Sequence, residues 1–143
     1  MAGDTNNQLT SIFAISGSGL QAQDQRMKII AENIANAGTT PTSPGQLPYR
    51  RQVISFKDEF DKALGAYKVK VAGVTSDRSD FVKKFDPSHP AADAQGYVLT
   101  PNVNPLTETM DMMEAQHSYQ ANLNVIDAAR GMVINTIGLL NTQ

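Results

Sequence analysis

Both ends of the chain carry the same apolar repeat, and that repetition restricts the possible folds more than any other feature. Steps of four and three from Leu9 fall on Leu9, Phe13, Ser16, Leu20, Gln23, Met27, Ile30, Ile34 and Ala37, of which seven are apolar. The same steps from Met112 fall on Met112, Gln116, Tyr119, Leu123, Ile126, Arg130, Val133, Ile137 and Leu140, again with seven apolar. A four-three repeat is the seam of a helix lying lengthwise on another helix. The second helix is expected to run from about 106 to 140. Pro105 suits its start, because the missing N–H would be unpaired there anyway. Glu108, Asp111 and Glu114 place negative charge where the helix dipole favours it. At 1.5 Å per residue this helix is on the order of 50 Å long, and a helix of that kind needs a partner. Gly17 and Gly19 interrupt the first helix, each at roughly 1 kcal/mol relative to alanine. They mark either a kink or frayed start, or a close approach by a neighbouring helix.

Between the seams the pattern changes. Residues 38–48 are turn-rich, with Pro41, Pro44 and Pro48. YRRQVISF (49–56) reads as a strand and 57–64 as a short helical turn. YKVKVAGV (67–74) alternates, with Tyr67, Val69 and Val71 opposite Lys68 and Lys70. FVKKFD (81–86) and GYVLT (96–100) are two further strands, separated by the loop DPSHPAADAQ. The expected fold class is mainly α with a small β-rich insert. That insert is too small to cover both seams, so the terminal helices must pack on each other, on other chains, or on both.

Several kinds of chemistry are excluded. The 143 residues suit one domain, and a net charge of −2 lacks the basic excess of a nucleic-acid binder. With no cysteine there is no disulfide framework, thiolate zinc site or cysteine nucleophile. The sequence has no run of about 18 apolar residues, the length a membrane-spanning helix needs. The start, MAGDTNNQLTSIF, has neither the basic opening nor the apolar stretch of a general secretory signal. His89 lies near Asp86 and Asp93, but the flanking prolines favour a rigid turn, and a metal needs three or four converging ligands. His117 sits apart on the second helix. ISGSGL lacks the third glycine and the preceding strand of a dinucleotide site, and no nucleophile elbow or phosphate loop occurs. Met112 and Met113 read as packing residues, and Arg50 and Arg51 as a solvated or neighbour-contacting pair. No catalytic, metal or cofactor-binding residue is expected, and an enzyme is not the reading.

SGLQAQDQRMKIIAENIANAGT (18–39) closely resembles the N-terminal signature of bacterial flagellar rod and hook proteins, with AENIANAGT (31–39) at its centre. ETMDMMEAQHSYQANLNVI (108–126) is similar to the second signature of that family, with Tyr119 and Asn122 in place and His117 where arginine is common. FDPSHPAADAQGYVLTPNVN (85–104) looks like the corresponding segment of a short proximal rod subunit.

The resemblance implies a structural axial subunit of the basal-body rod, in the periplasmic space, exported by the flagellar type III apparatus without a cleaved signal. It implies that residues 1–38 and 105–143 pair as an antiparallel coiled coil lining an axial tube, and that 39–104 form a small β-rich outer domain. The implied partners are other copies of the chain, other proximal and distal rod subunits, junction proteins of the MS ring, and the export apparatus. The expected assembly residues are Leu20, Met27, Ile30, Asn33, Ile34, Asn36, Tyr119, Asn122, Leu123, Ile126, Val133, Ile137 and Leu140. Asn33, Asn36 and Asn122 are expected to set register by amide hydrogen bonds to neighbouring helices or backbones, with helix termination as a competing role for Asn36. Residues 1–9 are expected to be a flexible export signal, and the terminal helices to order on assembly. The alternative is a cytoplasmic helical adaptor or export chaperone that binds partner helices.

Overall fold

A computed structural model describes residues 2–140 of the chain, with the side chains of 8–138. The order of elements is α1 (Ala2–Asn36), β1 (Gln52–Asp61), β2 (Ala66–Ser76), β3 (Val82–Phe85), β4 (Tyr97–Thr100) and α2 (Pro105–Leu140). Two terminal helices thus flank a small β middle, as the periodicities require. The expected flexible start is helical backbone from Ala2 onward, and Met1 lies outside the described residues.

The helix ends follow from local chemistry. Asn104 Oδ1 accepts from the N–H groups of Leu106 (3.0 Å) and Thr107 (3.4 Å), capping α2, with Pro105 in the first helical position. At the end of α1, Asn36 Nδ2 donates to the Glu32 carbonyl at 2.8 Å, and the Asn36 carbonyl accepts from Thr39 N and Oγ1. The side-chain amide donor and the carbonyl of Asn36 are thus both engaged within its own chain at the helix end.

β1 and β2 are hydrogen-bonded neighbours joined by four residues, too few for a parallel crossover, so they form an antiparallel hairpin. The expected helical turn over 57–64 is not formed, because β1 continues through Asp61. The alternation of Phe56 and Phe60 with Lys57, Glu59 and Asp61 is strand-like, and two ion pairs to β2 reinforce it, Lys68–Asp61 (2.6 Å) and Lys70–Glu59 (2.8 Å). Asp61 Oδ1 then accepts from Ala63 N and Leu64 N, and Gly65 turns the chain with φ of 63°.

β3 and β4 pair antiparallel, from Val82↔Thr100 to Phe85↔Tyr97, with the Phe85 and Tyr97 rings 5.3 Å apart. Gly96, at φ of 83°, admits the Phe85 ring where a Cβ would lie 3.0 Å from it.

Contacts divide the chain into two compact units. One contains α1 through Arg26, Phe56–Ala72 and α2 from Glu114 onward; its buried residues are small, namely Ser16, Ala22, Ala115 and Ala129. The other contains Met27–Ser55 and Gly73–Met113; it buries Ile30, Ala91, Val98 and Val103 together with the polar Asn33 and Glu108.

Candidate assembly site

In the unit containing Met27–Ser55 and Gly73–Met113, the end of α1, the start of β1 and the first turn of α2 meet in a polar knot. Asn33 and Glu108 are each 1% exposed. Asn33 Nδ2 donates to the Gln52 carbonyl (2.8 Å) and to Glu108 Oε2 (2.9 Å). Its Oδ1 accepts from Gln52 N and Tyr49 Oη, both at 2.9 Å. Two donors and two acceptor sites are the full capacity of a side-chain amide. All four hydrogen bonds of the Asn33 amide are therefore made within its own chain. A buried polar group needs such complete pairing, since each unmet bond costs about 1–3 kcal/mol.

Arg51 completes the knot. Its Nε lies 2.6 Å from Glu108 Oε1, and its terminal nitrogens reach Asp77 (3.5 Å) and Asp111 (3.6 Å). Burial alone pulls the guanidinium pKa down, but the hydrogen bonds and charges of Glu108 and then Asp77 together outweigh it and hold the group above its ordinary value. The Tyr49 hydroxyl is raised, first by burial and then by the charges of Glu32 and Glu108. Arg50 donates to the carbonyls of Asp77 and Ser79 and lies 4.1 Å from the centroid of the Phe81 ring. The arginine pair is thus internal rather than solvated. Position in sequence could not separate these cases; the missed signal was the presence of a buried-side acceptor, Glu108, at the start of α2.

The other unit is joined differently. Gly19 faces Asn122, and a Cβ on Gly19 would lie 2.7 Å from Asn122 Nδ2. The second explanation of the glycine interruption, close approach, applies to Gly19. Gly17 has open space beside it. Arg26 pairs with Glu114 at 3.3 Å, an exposed contact worth at most about 1 kcal/mol. Ser11 Oγ donates to the Leu64 carbonyl, and Val69 N donates to Ser18 Oγ, so α1 caps part of the free edge of β2.

The expected assembly residues have mixed positions. Ile30 and Asn33 are buried; Leu20, Met27, Ile34 and Asn36 are half-buried on α1. Tyr119, Asn122, Leu123, Ile126 and Val133 are half-buried on α2, Ile137 is exposed, and the side chain of Leu140 lies outside the described residues. The most buried line on α2 is Glu108, Ala115 and Ala129, spaced in heptads and continued by half-buried Asn122. The sequence reading missed this line because its members are small or polar. Larger apolar groups stay open to solvent, among them Leu106, Met110, Met113, Met132, Ile134 and Ile137.

Nothing here resembles a reactive centre. Among the described residues no three His, Asp or Glu side chains are grouped to hold a metal. His89 sits in its turn with Nδ1 accepting from Ala91 N and Nε2 3.1 Å from Thr40 Oγ1. No described helix is long and apolar enough to cross a membrane.

Known proteins match this chain at both ends and along its length. Residues 13–41 match the family described as flagella basal body rod protein. Residues 94–138 match that described as flagellar basal body rod FlgEFG protein C-terminal. The chain is 49% identical to the flagellar basal-body rod protein FlgC of Agrobacterium fabrum over 135 residues, 94% of this chain and 97% of the relative. It is 38% identical to FlgC of Escherichia coli O157:H7 over 131 residues, 92% of this chain and 97% of the relative. It is 36% identical to FlgC of Bacillus subtilis over 138 residues, 86% of this chain and 92% of the relative.

Proposed function

The chain belongs to the family of flagellar basal-body rod proteins, within it to the FlgC group, and from that premise we propose a structural subunit of the proximal rod that catalyses nothing. It joins copies of itself and other rod subunits in a hollow shaft that transmits torque and lets exported subunits pass. It reaches that place through the flagellar type III apparatus and meets the MS-ring junction proteins at the base.

In this reading the terminal segments 1–38 and 105–143 pair as an antiparallel coiled coil that lines the tube, and 39–104 form the outer domain. Antiparallel pairing is supported by the order of contacts within one unit: Gly19 meets Asn122, and Arg26, further along α1, meets Glu114, earlier on α2. The remaining candidates, Leu20, Met27, Ile34, Tyr119, Leu123, Ile126, Val133, Ile137 and Leu140, supply contacts between subunits.

The observation that carries the assembly reading is the inversion of side-chain size. The buried positions of the helices towards Ser16 and Ala129 are small, while Met132, Ile134 and Ile137 are more than half exposed. Helices that leave such groups in water have further neighbours to meet. A helical adaptor would expose apolar faces too, but the match to rod proteins over nearly their whole length removes its motivation.

The test is electron microscopy of basal bodies from a strain lacking the gene, with a swimming assay. A membrane-embedded base without a rod is the expected result. Complete, turning flagella would refute the assignment.

A further inference from the structure

The β1–β2 hairpin has an apolar face that its own chain covers only in part: Phe56 and Val69 are more than half buried, and Phe60 and Tyr67 stand open. The rings of Phe60 and Tyr67 lie 5.0 Å apart, so these residues share one face. Strand alternation adds Phe56 and Asp58 from β1 and Val69 from β2 to that face. Lys57, Glu59, Asp61, Lys68 and Lys70 occupy the opposite face, where Asp61–Lys68 and Glu59–Lys70 are ion pairs. Four of the five charges on that face are thus paired within the hairpin, with Lys57 left over, while Phe60 is 49% and Tyr67 65% exposed. A two-stranded ribbon is marginal in water unless another layer packs on it, and a contiguous exposed aromatic patch marks an interaction surface.

The patch contains one charge. Asp58 is exposed and has no ion pair or hydrogen bond among the described residues. Its counterpart is on α2. Arg130 is the only lysine or arginine of that helix, is exposed, and likewise has no ion pair among the described residues. Ile134 and Ile137 follow it at four and seven residues, on the same side of the helix, and both are more than half exposed. One surface is aromatic with a single anion, and the other is aliphatic with one cation, Arg130, which has the exposed Asp127 one turn before it on the same side. Both belong to the same compact unit and both are open, so the chain does not close one upon the other.

We propose that the Phe56–Asp58–Phe60–Tyr67 face of one copy receives the Arg130–Ile134–Ile137 stripe of α2 from a second copy, with Asp58 paired to Arg130. The contact is heterologous: each copy that offers its hairpin still has a free α2 stripe, so the arrangement propagates instead of stopping at a dimer. Excluding water from the rings and isoleucines strengthens the ion pair, and the ion pair fixes which turn of α2 is taken. The inference rests on the rod reading and adds to it a particular pair of surfaces and an ionic key.

The chain has no cysteine, so introduced thiols report contacts without background. The double variant Asp58→Cys/Arg130→Cys is expressed in cells lacking the gene, basal bodies are isolated and oxidised, and covalent products are separated without reductant. Dimers and higher multiples of this chain from the double variant, and none from either single variant, are expected. Dimers from Asp58→Cys alone, a link to a different protein, or no link in assembled rods each overturn the proposal. The last outcome leaves the rod assignment intact, whereas absence of the wild-type chain from basal bodies removes the assignment itself. Charge reversal decides the matter where the double-cysteine chain is not incorporated. Asp58→Arg and Arg130→Asp should each lower incorporation by about tenfold, and their combination should recover it; reversals that do not rescue one another refute the pairing.

Discussion

Replacing Asn33 with alanine tests whether the polar knot holds the chain together. The change removes both hydrogen bonds donated by Nδ2 and both accepted by Oδ1, all between 2.8 and 2.9 Å. Tyr49 is partly open and can turn its hydroxyl to water. The Gln52 N–H and carbonyl and one oxygen of Glu108 are then short of a partner. At about 1–3 kcal/mol for each buried group left unpaired, the sum is about 4 kcal/mol once partial relaxation is allowed. That is a large fraction of the roughly 5–15 kcal/mol that stabilises a domain. For a chain of this size it corresponds to a fall in Tm of roughly 8–16 °C. The assay is thermal unfolding of the purified protein followed by circular dichroism. Asn124→Ala is the control, since Asn124 is exposed and bonded only to Gln120 on the same helix. A fall for Asn33→Ala no larger than that of the control would refute the reasoning, because the four bonds would then have had no net value. Asn33→Asp should be more damaging than alanine at neutral pH, because it turns a donor into a second carboxylate facing Glu108.

Other expectations follow from single features. Gly19→Ala should lose most of the roughly 1 kcal/mol that its better helix propensity offers, because the new Cβ meets Asn122 Nδ2 at 2.7 Å and must push the amide aside. Adding Asn122→Ala should relieve the loss, and a double-mutant cycle with no coupling would sink the close-approach argument. Gly96→Ala should cost about 1–3 kcal/mol, since it places a Cβ at φ of 83° against Phe85 and Pro87; urea midpoints measure it. The carboxyl of Asp61 is held below its ordinary pKa by the Lys68 hydrogen bond and then by Leu64 N–H, and that of Asp77 by the N–H and side chain of Ser79 and then by Arg51. With folded values below unfolded ones, their contribution is present above about pH 4 and is lost as pH falls through the folded values. Asp61→Asn should therefore flatten the acid limb of a stability–pH profile, and an unchanged limb would count against this.

The parts of the fold that could be read beforehand are those written in apolar periodicity. Both helices, the strands at Tyr67 and Val98, and the start of α2 at Pro105 are of this kind. Residues 57–64 misled because the charged Lys57, Asp58, Glu59 and Lys62 obscure the alternation carried by Phe56 and Phe60, which the ion pairs across the hairpin reinforce. The seam reading gave weight to large side chains, whereas the most buried helix positions are Ala115, Ala129, Asn33 and Glu108. A hydrophobicity pattern cannot distinguish a small residue that admits a neighbour from a small residue facing water. Asn33 was noticed as an anomaly in its helix, but its partners Gln52 and Glu108 lie far along the chain and no local rule connects them. Arg51 was left outside for the same reason. The charge relation of Asp58 to Arg130 became visible only when the contact of the Phe60 and Tyr67 rings allowed the hairpin face to be sorted by alternation.

The junction of Asn33, Arg51 and Glu108 has a mechanical consequence. Contacts between apolar side chains are non-directional, and two greasy surfaces can slide past each other with little change in energy. Hydrogen bonds at 2.6–2.9 Å do not permit this, because a sideways displacement of about 1 Å takes donor and acceptor out of line. The knot ties the end of α1, the first residues of β1 and the first turn of α2 at one place. A twisting load applied to either helix therefore meets resistance to shear there and is delivered to the strand, and slippage has to occur elsewhere first. In a shaft built from such subunits, the directional bonds act as pins and the apolar faces as bearings.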